Sequence, residues 1–202
     1  MTTPPPLPVP FPHRCSTEAL WKKTVIGLCL FSALIGTTLL LLRLTGGLRC
    51  FFVPTNSMAP AVAAGDHIIM DGVSFWFREP RRGDIAIFKT GDIPRWPDNI
   101  FAQRIAGLPG DKIKISDGNL FINGAQVFLY NRNGNIIYTL PDQRSDARYL
   151  TETTVPPDCY FMLGDNSANS FDSRYRGVVP RRAIMGRALY CYYPLARTGV
   201  IQ

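Results

Sequence analysis

The chain has 202 residues, 46% of them hydrophobic and 18% charged, a balance that excludes a disordered, a collagen-like or a disulfide-dense polypeptide. Lysine and arginine outnumber the acidic residues 22 to 15, for a net charge of +7, yet only five of these cations are lysines and 17 are arginines. Length allows one domain of ordinary size plus an appendage, and a mean hydropathy of +0.02 points to one segment that carries excess hydrophobicity.

Residues 1–12 hold six of the 17 prolines and predict an extended, unpacked stretch, so residues 1–20 are read as a Pro-rich cytoplasmic tail. Residues 24–42, TVIGLCLFSALIGTTLLLL, run for 19 positions without a charge or a proline. As a helix this segment is about 28 Å long, enough to cross a bilayer core. Trp21, Lys22 and Lys23 precede it and Arg43 follows, the aromatic and cationic frame of a membrane interface. A signal peptide has a shorter apolar core and a small-x-small cleavage site, whereas RLTGGLRCFF follows here. Residues 21–44 are therefore predicted to form a retained transmembrane anchor. Arg14, Lys22 and Lys23 before the span, against Arg43 and Arg49 after it, favour a cytoplasmic N-terminus.

Residues 50–202 are predicted to form one mostly β domain. Residues 85–88 are an apolar run after the turn-prone Arg82-Gly83-Asp84. Residues 111–127 alternate apolar and polar around Asp117-Gly118 and Asn123-Gly124, a signature of successive hairpins. Within them Ile113 and Ile115 share one face, and Lys112 and Lys114 the solvated other. Further strands are expected at 160–163 and 187–193, and no window shows a helical repeat of apolar positions. The cysteines show no C-x-x-C spacing. Cys159 and Cys191 can pair or remain two buried thiols. No metal and no organic cofactor are implied. The arginines are scattered, without a nucleic-acid-binding motif, so no nucleic acid is expected and the lipid bilayer is the more economical partner.

Three segments concentrate reactive residue types: VPTNSMAP at 53–60, RIAGLPGD at 104–111 and GDNSANSFDSRYRG at 164–177. Together with GDHIIM at 65–70 and RRGDIAIF at 81–88, they occur in the order and with the spacing of the type I signal peptidases, and the chain resembles that family over the anchor and essentially the whole domain. The resemblance implies a signal-peptidase-type β domain on a single N-terminal transmembrane helix. It also implies a membrane-bound serine endopeptidase that removes signal peptides from exported preproteins after small residues. Ser57 stands at the nucleophile position, and the family's oxyanion hole corresponds to the Ser57 N–H and the hydroxyl of Thr55. Ser170 matches a serine that orients the base. Asp165 with Arg104, and Asp172 with Arg174, match charged residues that brace the site. The location implied is the plasma membrane, with the β domain on the extracytoplasmic side. Partners implied are preprotein signal peptides, with an active paralogue or the secretion machinery as a further class.

One position departs from the family pattern. The general-base lysine of these enzymes immediately precedes the arginine of R-x-x-G-L-P-G-D, and here that position is Gln103. A serine hydroxyl is a weak nucleophile until a base takes its proton, and an amide has no usable basicity near neutral pH. Gln103 is expected to hydrogen-bond Ser57 and Ser170 and keep the geometry without the proton transfer. The alternative to an active peptidase is thus a weak or inactive homologue that binds signal peptides or regulates a partner. Lys89, Lys112 and Lys114 read as solvated and therefore protonated. His67, ten residues beyond Ser57, is the remaining substitute base. A self-cleaving repressor of the Ser/Lys type is excluded by the anchor and by the lack of a DNA-binding motif. The aromatics Phe51, Phe52, Phe75, Trp76, Phe77 and Trp96 are candidates either for the core or for a surface resting in the bilayer interface.

Overall fold

A computed structural model describes residues 17–138 and 152–202, so residues 1–16 of the expected tail lie outside the described residues, and its last four belong to the helix that follows. Helix α1 spans Thr17–Leu44, and its Leu20–Leu44 portion is long and apolar enough to cross a membrane. Its apolar side chains, Leu28, Phe31 and Leu34 among them, are exposed, as those of a soluble core helix are not. The unit Leu42–Gln202 contains all the described strands.

In chain order the strands are β1 (Leu48–Phe52), β2 (His67–Asp71), β3 (Ile85–Lys89), β4 (Ile100–Gly107), β5 (Lys112–Ser116), β6 (Asn119–Ile122) and β7 (Ala125–Val127). They continue with the two-residue β8 (Tyr130–Asn131), β9 (Gly134–Asn135) and β10 (Thr153–Thr154), then β11 (Cys159–Leu163), β12 (Val179–Pro180), β13 (Ile184–Tyr193) and β14 (Gly199–Val200). Two four-residue helices, α2 (Ser74–Phe77) and α3 (Ser173–Arg176), lie between strands. The main sheet runs β1-β2-β13-β3-β4-β11-β12, with β14 added to β13. Every ladder in it is antiparallel. A second sheet runs β10-β5-β6-β7, and β8 pairs β9.

The continuous apolar run at 85–88 has a simple cause: β3 is covered on both faces. Ile85 and Ile87 enter a core with Met58, Val62, Ile68 and Met70, whereas Ala86 and Phe88 enter another with Phe75, Trp96, Ile105 and Met162. The alternating segment is covered on one face only. Ile113 and Ile115 are buried with Leu120, Ile122 and Phe161, and Lys112 and Lys114 are exposed. Both hairpin turns take left-handed backbone at their two central residues, with φ +49° and +78° at Asp117-Gly118 and +53° and +82° at Asn123-Gly124. That is the conformation these residue pairs favour. The expected 187–193 strand is the last seven residues of β13, which reaches back to Ile184 and pairs β2, β3 and β14.

Two sets of alternatives are resolved. Cys159 and Cys191 are free thiols, the latter buried, and burial raises the pKa of both. Trp96 is a core residue, 6% exposed, with the rings of Phe88 and Phe101 edge-on at 5.4 and 5.2 Å. Phe75 is also buried, while Phe52, Trp76 and Phe77 are exposed.

Candidate active site

Ser57 sits in a loop whose stem and far side are both fixed. The Val53 N–H donates to the Asp66 carbonyl at 2.9 Å and the Gly65 N–H to the Val53 carbonyl at 2.8 Å, which close the loop at its base. Directly after Ser57, Met58, Ala61 and Val62 are buried against Ile68, Ile85 and Ile87, and the Val62 N–H donates to the Met58 carbonyl at 3.0 Å. Arg197 grips Asp66 with two N–H donors at 2.8 and 3.0 Å. An otherwise polar loop is thereby pinned by three apolar side chains on one flank and an ion pair on the other.

The segment after β11 holds the loop from above. The Asn166 N–H donates to the Ser57 carbonyl, and the Asn166 side-chain amide to the Asn56 carbonyl, each at 3.0 Å. Gly164 is packed where the two segments meet. A Cβ there would stand 2.2 Å from Ser170 Oγ and 2.7 Å from the Ser57 carbonyl oxygen, so no larger residue fits without moving the serine loop. Asn166, Asn56 and Gly164 are site residues the motif reading quotes without assigning. Their signal is the density of Asn and Gly in the two loops, residue types that bond neighbouring backbone or leave room for it.

The serine hydroxyl is half-buried on the wall of a cavity of about 310 Å³. Val53, Met58, Val62, Ile68, Ile87 and Ala102 give that cavity an apolar lining. Thr55 Oγ1 lies 3.3 Å from Ser57 Oγ. The Ser57 N–H makes no hydrogen bond with the described residues.

Both charged pairs that the family resemblance implies are formed. Arg104 Nε and Nη2 donate to the two Asp165 oxygens, both at 2.7 Å, and the side chains are 3% and 0% exposed. The remaining Arg104 Nη1 donates to the Gly83 carbonyl at 2.8 Å. Burial pushes the Asp165 carboxyl up, against the pull of the Arg104 guanidinium. Asp172 caps α3 and is enclosed by donors. Its oxygens accept from Arg174 Nε, Nη2 and N–H at 2.8, 2.9 and 3.2 Å, from the Gly164 N–H at 2.9 Å and from Ser170 Oγ at 2.8 Å. Charge-assisted bonds of this kind are the strong ones, and they lock the segment that carries Ser170.

Gln103 lies in β4, directly opposite Ala86 of β3, and is 2% exposed. Its neighbours Phe101 and Ala102 line the Ser57 cavity. The expected bonds from Gln103 to Ser57 and Ser170 are corrected: the Ser170 hydroxyl is directed to Asp172, and Gln103 Oε1 is buried with no hydrogen-bond partner. None of the five lysines lines the cavity. His67 is packed edge-on against Phe52, Tyr192 and Tyr193 at 5.3–5.7 Å and does not line it either. Among the described residues no group of His, Cys, Asp and Glu is arranged to hold a metal.

Known proteins resemble this chain along most of its length. The profile of the family described as "Signal peptidase, peptidase S26" matches residues 21–193. The chain is 35% identical over 162 residues to a probable signal peptidase I-2 of Synechocystis sp., covering 77% of this chain and 70% of that one. It is 33% identical over 162 residues to a signal peptidase I of Leptolyngbya laminosa, covering 76% and 75%. The crystal structure of a signal peptidase I from Enterococcus faecalis aligns with a TM-score of 0.42 at 31% identity, over 55% of this chain and 97% of that one. The chain belongs to the signal peptidase family of S26 peptidases.

Proposed function

We propose that this chain is a membrane-anchored signal peptidase I in which Ser57 attacks the scissile carbonyl of a preprotein. The observation that carries the assignment is the Ser57 hydroxyl on the wall of an apolar cavity, with Thr55 Oγ1 3.3 Å away and its own N–H unspent. Addition of Oγ to the carbonyl carbon places negative charge on the carbonyl oxygen, where the Ser57 N–H and the Thr55 hydroxyl donate to it. The C–N bond then breaks, the leaving amine takes up the proton that Ser57 lost on attack, and water adds to the acyl carbon to release the acid and restore the Ser57 hydroxyl. The register of the main sheet supplies a place for the substrate. β3 covers one edge of β4 from Ile100 to Arg104, whereas β11 pairs β4 only at Arg104, Ile105 and Gly107. Residues 100–103 therefore present an open strand edge beside the cavity, and an extended peptide can add there as a further strand. The apolar cavity has room for small apolar side chains before the scissile bond.

Gln103 occupies the general-base position and offers no proton acceptor, so we place the limiting step at deprotonation of Ser57. Loss of one member of a catalytic unit costs on the order of 10⁴–10⁶ in turnover. The test is cleavage of a preprotein in detergent by the wild type, Ser57→Ala and Gln103→Lys. Cleavage by Gln103→Lys is expected to exceed that of the wild type by orders of magnitude, and Ser57→Ala to abolish it. Cleavage that survives Ser57→Ala overturns the nucleophile assignment. Equal rates for wild type and Gln103→Lys overturn the base assignment. Signal-peptide binding by a wild type that never cleaves returns the chain as a non-catalytic relative acting on a paralogue or the secretion machinery. The location we assign is the cell membrane, with the N-terminus cytoplasmic and the β domain outside.

A further inference from the structure

Helix α1 ends at Leu44, and the chain turns at once. Gly46 has a φ of +75°, a left-handed conformation glycine adopts without strain, and its N–H donates to the Arg43 carbonyl at 3.2 Å. A Cβ on Gly46 would stand 3.0 Å from Arg49 Nη2, so the Arg49 guanidinium is folded back over the turn. The turn opens onto a cavity of about 550 Å³ whose walls include Thr45, Gly46, Arg49, Trp76, Lys89 and Arg182. No residue is shared with the Ser57 cavity.

The cations of this cavity differ from the arginines that brace the fold. Seven other arginines are ion-paired: Arg78, Arg82, Arg104, Arg174, Arg181, Arg187 and Arg197. The side chains of Arg49, Lys89 and Arg182 make no ion pair or hydrogen bond among the described residues, although Asp92 and Asp98 also line the cavity. Asp98 instead lies over Gly91, where a Cβ would meet its Oδ1 at 2.7 Å. Three unpaired cations against two carboxylates leave a single positive charge in excess, which suits one phosphate and not a polyanion. Trp76 is half-exposed and Phe77 beside it is 84% exposed, the amphipathic and apolar side chains that settle at a headgroup layer.

An anchor that crosses the bilayer delivers Thr45 and Gly46 to that layer. We propose that the cavity binds the phosphate of a phospholipid headgroup in the leaflet where α1 ends, giving the peptidase domain a second attachment beside its anchor. Arginine forks and a lysine point charge are the donors such a phosphate takes. The proposal rests on the reading that α1 spans the membrane and is independent of the chemistry at Ser57.

The test titrates the full chain in detergent with dioctanoyl phosphatidylglycerol, with dioctanoylglycerol, which lacks the phosphate, and with inorganic phosphate, counting bound lipid by native mass spectrometry. The wild type is expected to retain phosphatidylglycerol over dioctanoylglycerol. Lys89→Gln with Arg182→Gln weakens that binding about 25-fold, at about fivefold per cation. Arg81→Gln with Lys112→Gln, the same charge change at exposed positions outside the cavity, leaves it within about twofold. If the first double variant does not fold, Lys89→Gln alone, at an exposed strand end, carries the test with its fivefold effect. Equal weakening by the two pairs, equal retention of the two lipids, or displacement of the lipid by equimolar inorganic phosphate overturns the proposal. Carbonate extraction of the same variants reads the anchor separately. A failed anchor releases the chain from membranes, whereas a failed headgroup site leaves it membrane-bound with a lipid affinity indifferent to Lys89 and Arg182.

Discussion

An amide oxygen shut away from water without a partner costs about 1–3 kcal/mol, and Gln103 Oε1 is such a group on a residue 2% exposed. Leucine at this position removes the unpaired oxygen and nearly keeps the volume. Gln103→Leu is therefore expected to raise the midpoint of denaturant unfolding, by about 1 kcal/mol in stability. A lowered midpoint would show that the amide is held by a partner in solution. Asp165→Asn has the opposite sign. It leaves the Arg104 charge buried against a neutral amide, at a cost of about 3–5 kcal/mol, read in the same denaturation series. The resemblance to the signal peptidases implies the pairing of Arg104 with Asp165 and of Arg174 with Asp172. It says nothing of where the Ser170 hydroxyl turns. That depends on Asp172 gathering donors from Gly164, Ser170 and Arg174 at once, a competition decided only when the chain has closed.

At the scale of elements, legibility follows length. The hairpins of residues 111–127 announce themselves, since alternation fixes the buried face and Asp117-Gly118 and Asn123-Gly124 fix the turns. The run at 85–88 is also legible, because a strand covered on both faces must be apolar throughout. β8, β9, β10, β12 and β14 have two residues each, too few to show a period. β4 escapes for another reason. Its Phe101, Ile105 and Ala106 are apolar, but Gln103 and Arg104 are buried polar residues that break the alternation at the position the site needs. The two hairpin turns permit a comparison. Ala in place of Gly124, at φ +82° with no atom within 4 Å of the new Cβ, meets backbone strain alone, about 1–2 kcal/mol. Ala in place of Gly118, at φ +78°, adds a contact of 2.9 Å with Ile137 Cγ2. Gly118→Ala is thus expected to lower the thermal midpoint more than Gly124→Ala, and equal shifts would mean that Ile137 moves aside at no cost.

For the whole molecule, the distribution of charge matters more than its sum. The net charge of +7 is a sum over the whole chain, but only the cations near the ends of the span set its direction of insertion. Orientation follows the lysines and arginines near the ends of a span, with acidic residues contributing little. Before the span stand Arg14, Lys22 and Lys23, and after it Arg43 and Arg49, a difference of one positive charge. Such a narrow margin is easily reversed: Lys22→Gln with Lys23→Gln leaves one cation before the span against two after. The wild type is expected to expose its β domain entirely to protease added outside intact spheroplasts, and the double variant to protect a substantial fraction of it. Arg49→Gln works in the other direction, widening the margin while removing one of the three cations of the proposed headgroup cavity. It should therefore keep the domain fully accessible while weakening retention of phosphatidylglycerol. Separation of those two readouts in a single variant would show that insertion and lipid contact draw on the same arginine by different physics, the first by its sign alone and the second by its place over Gly46.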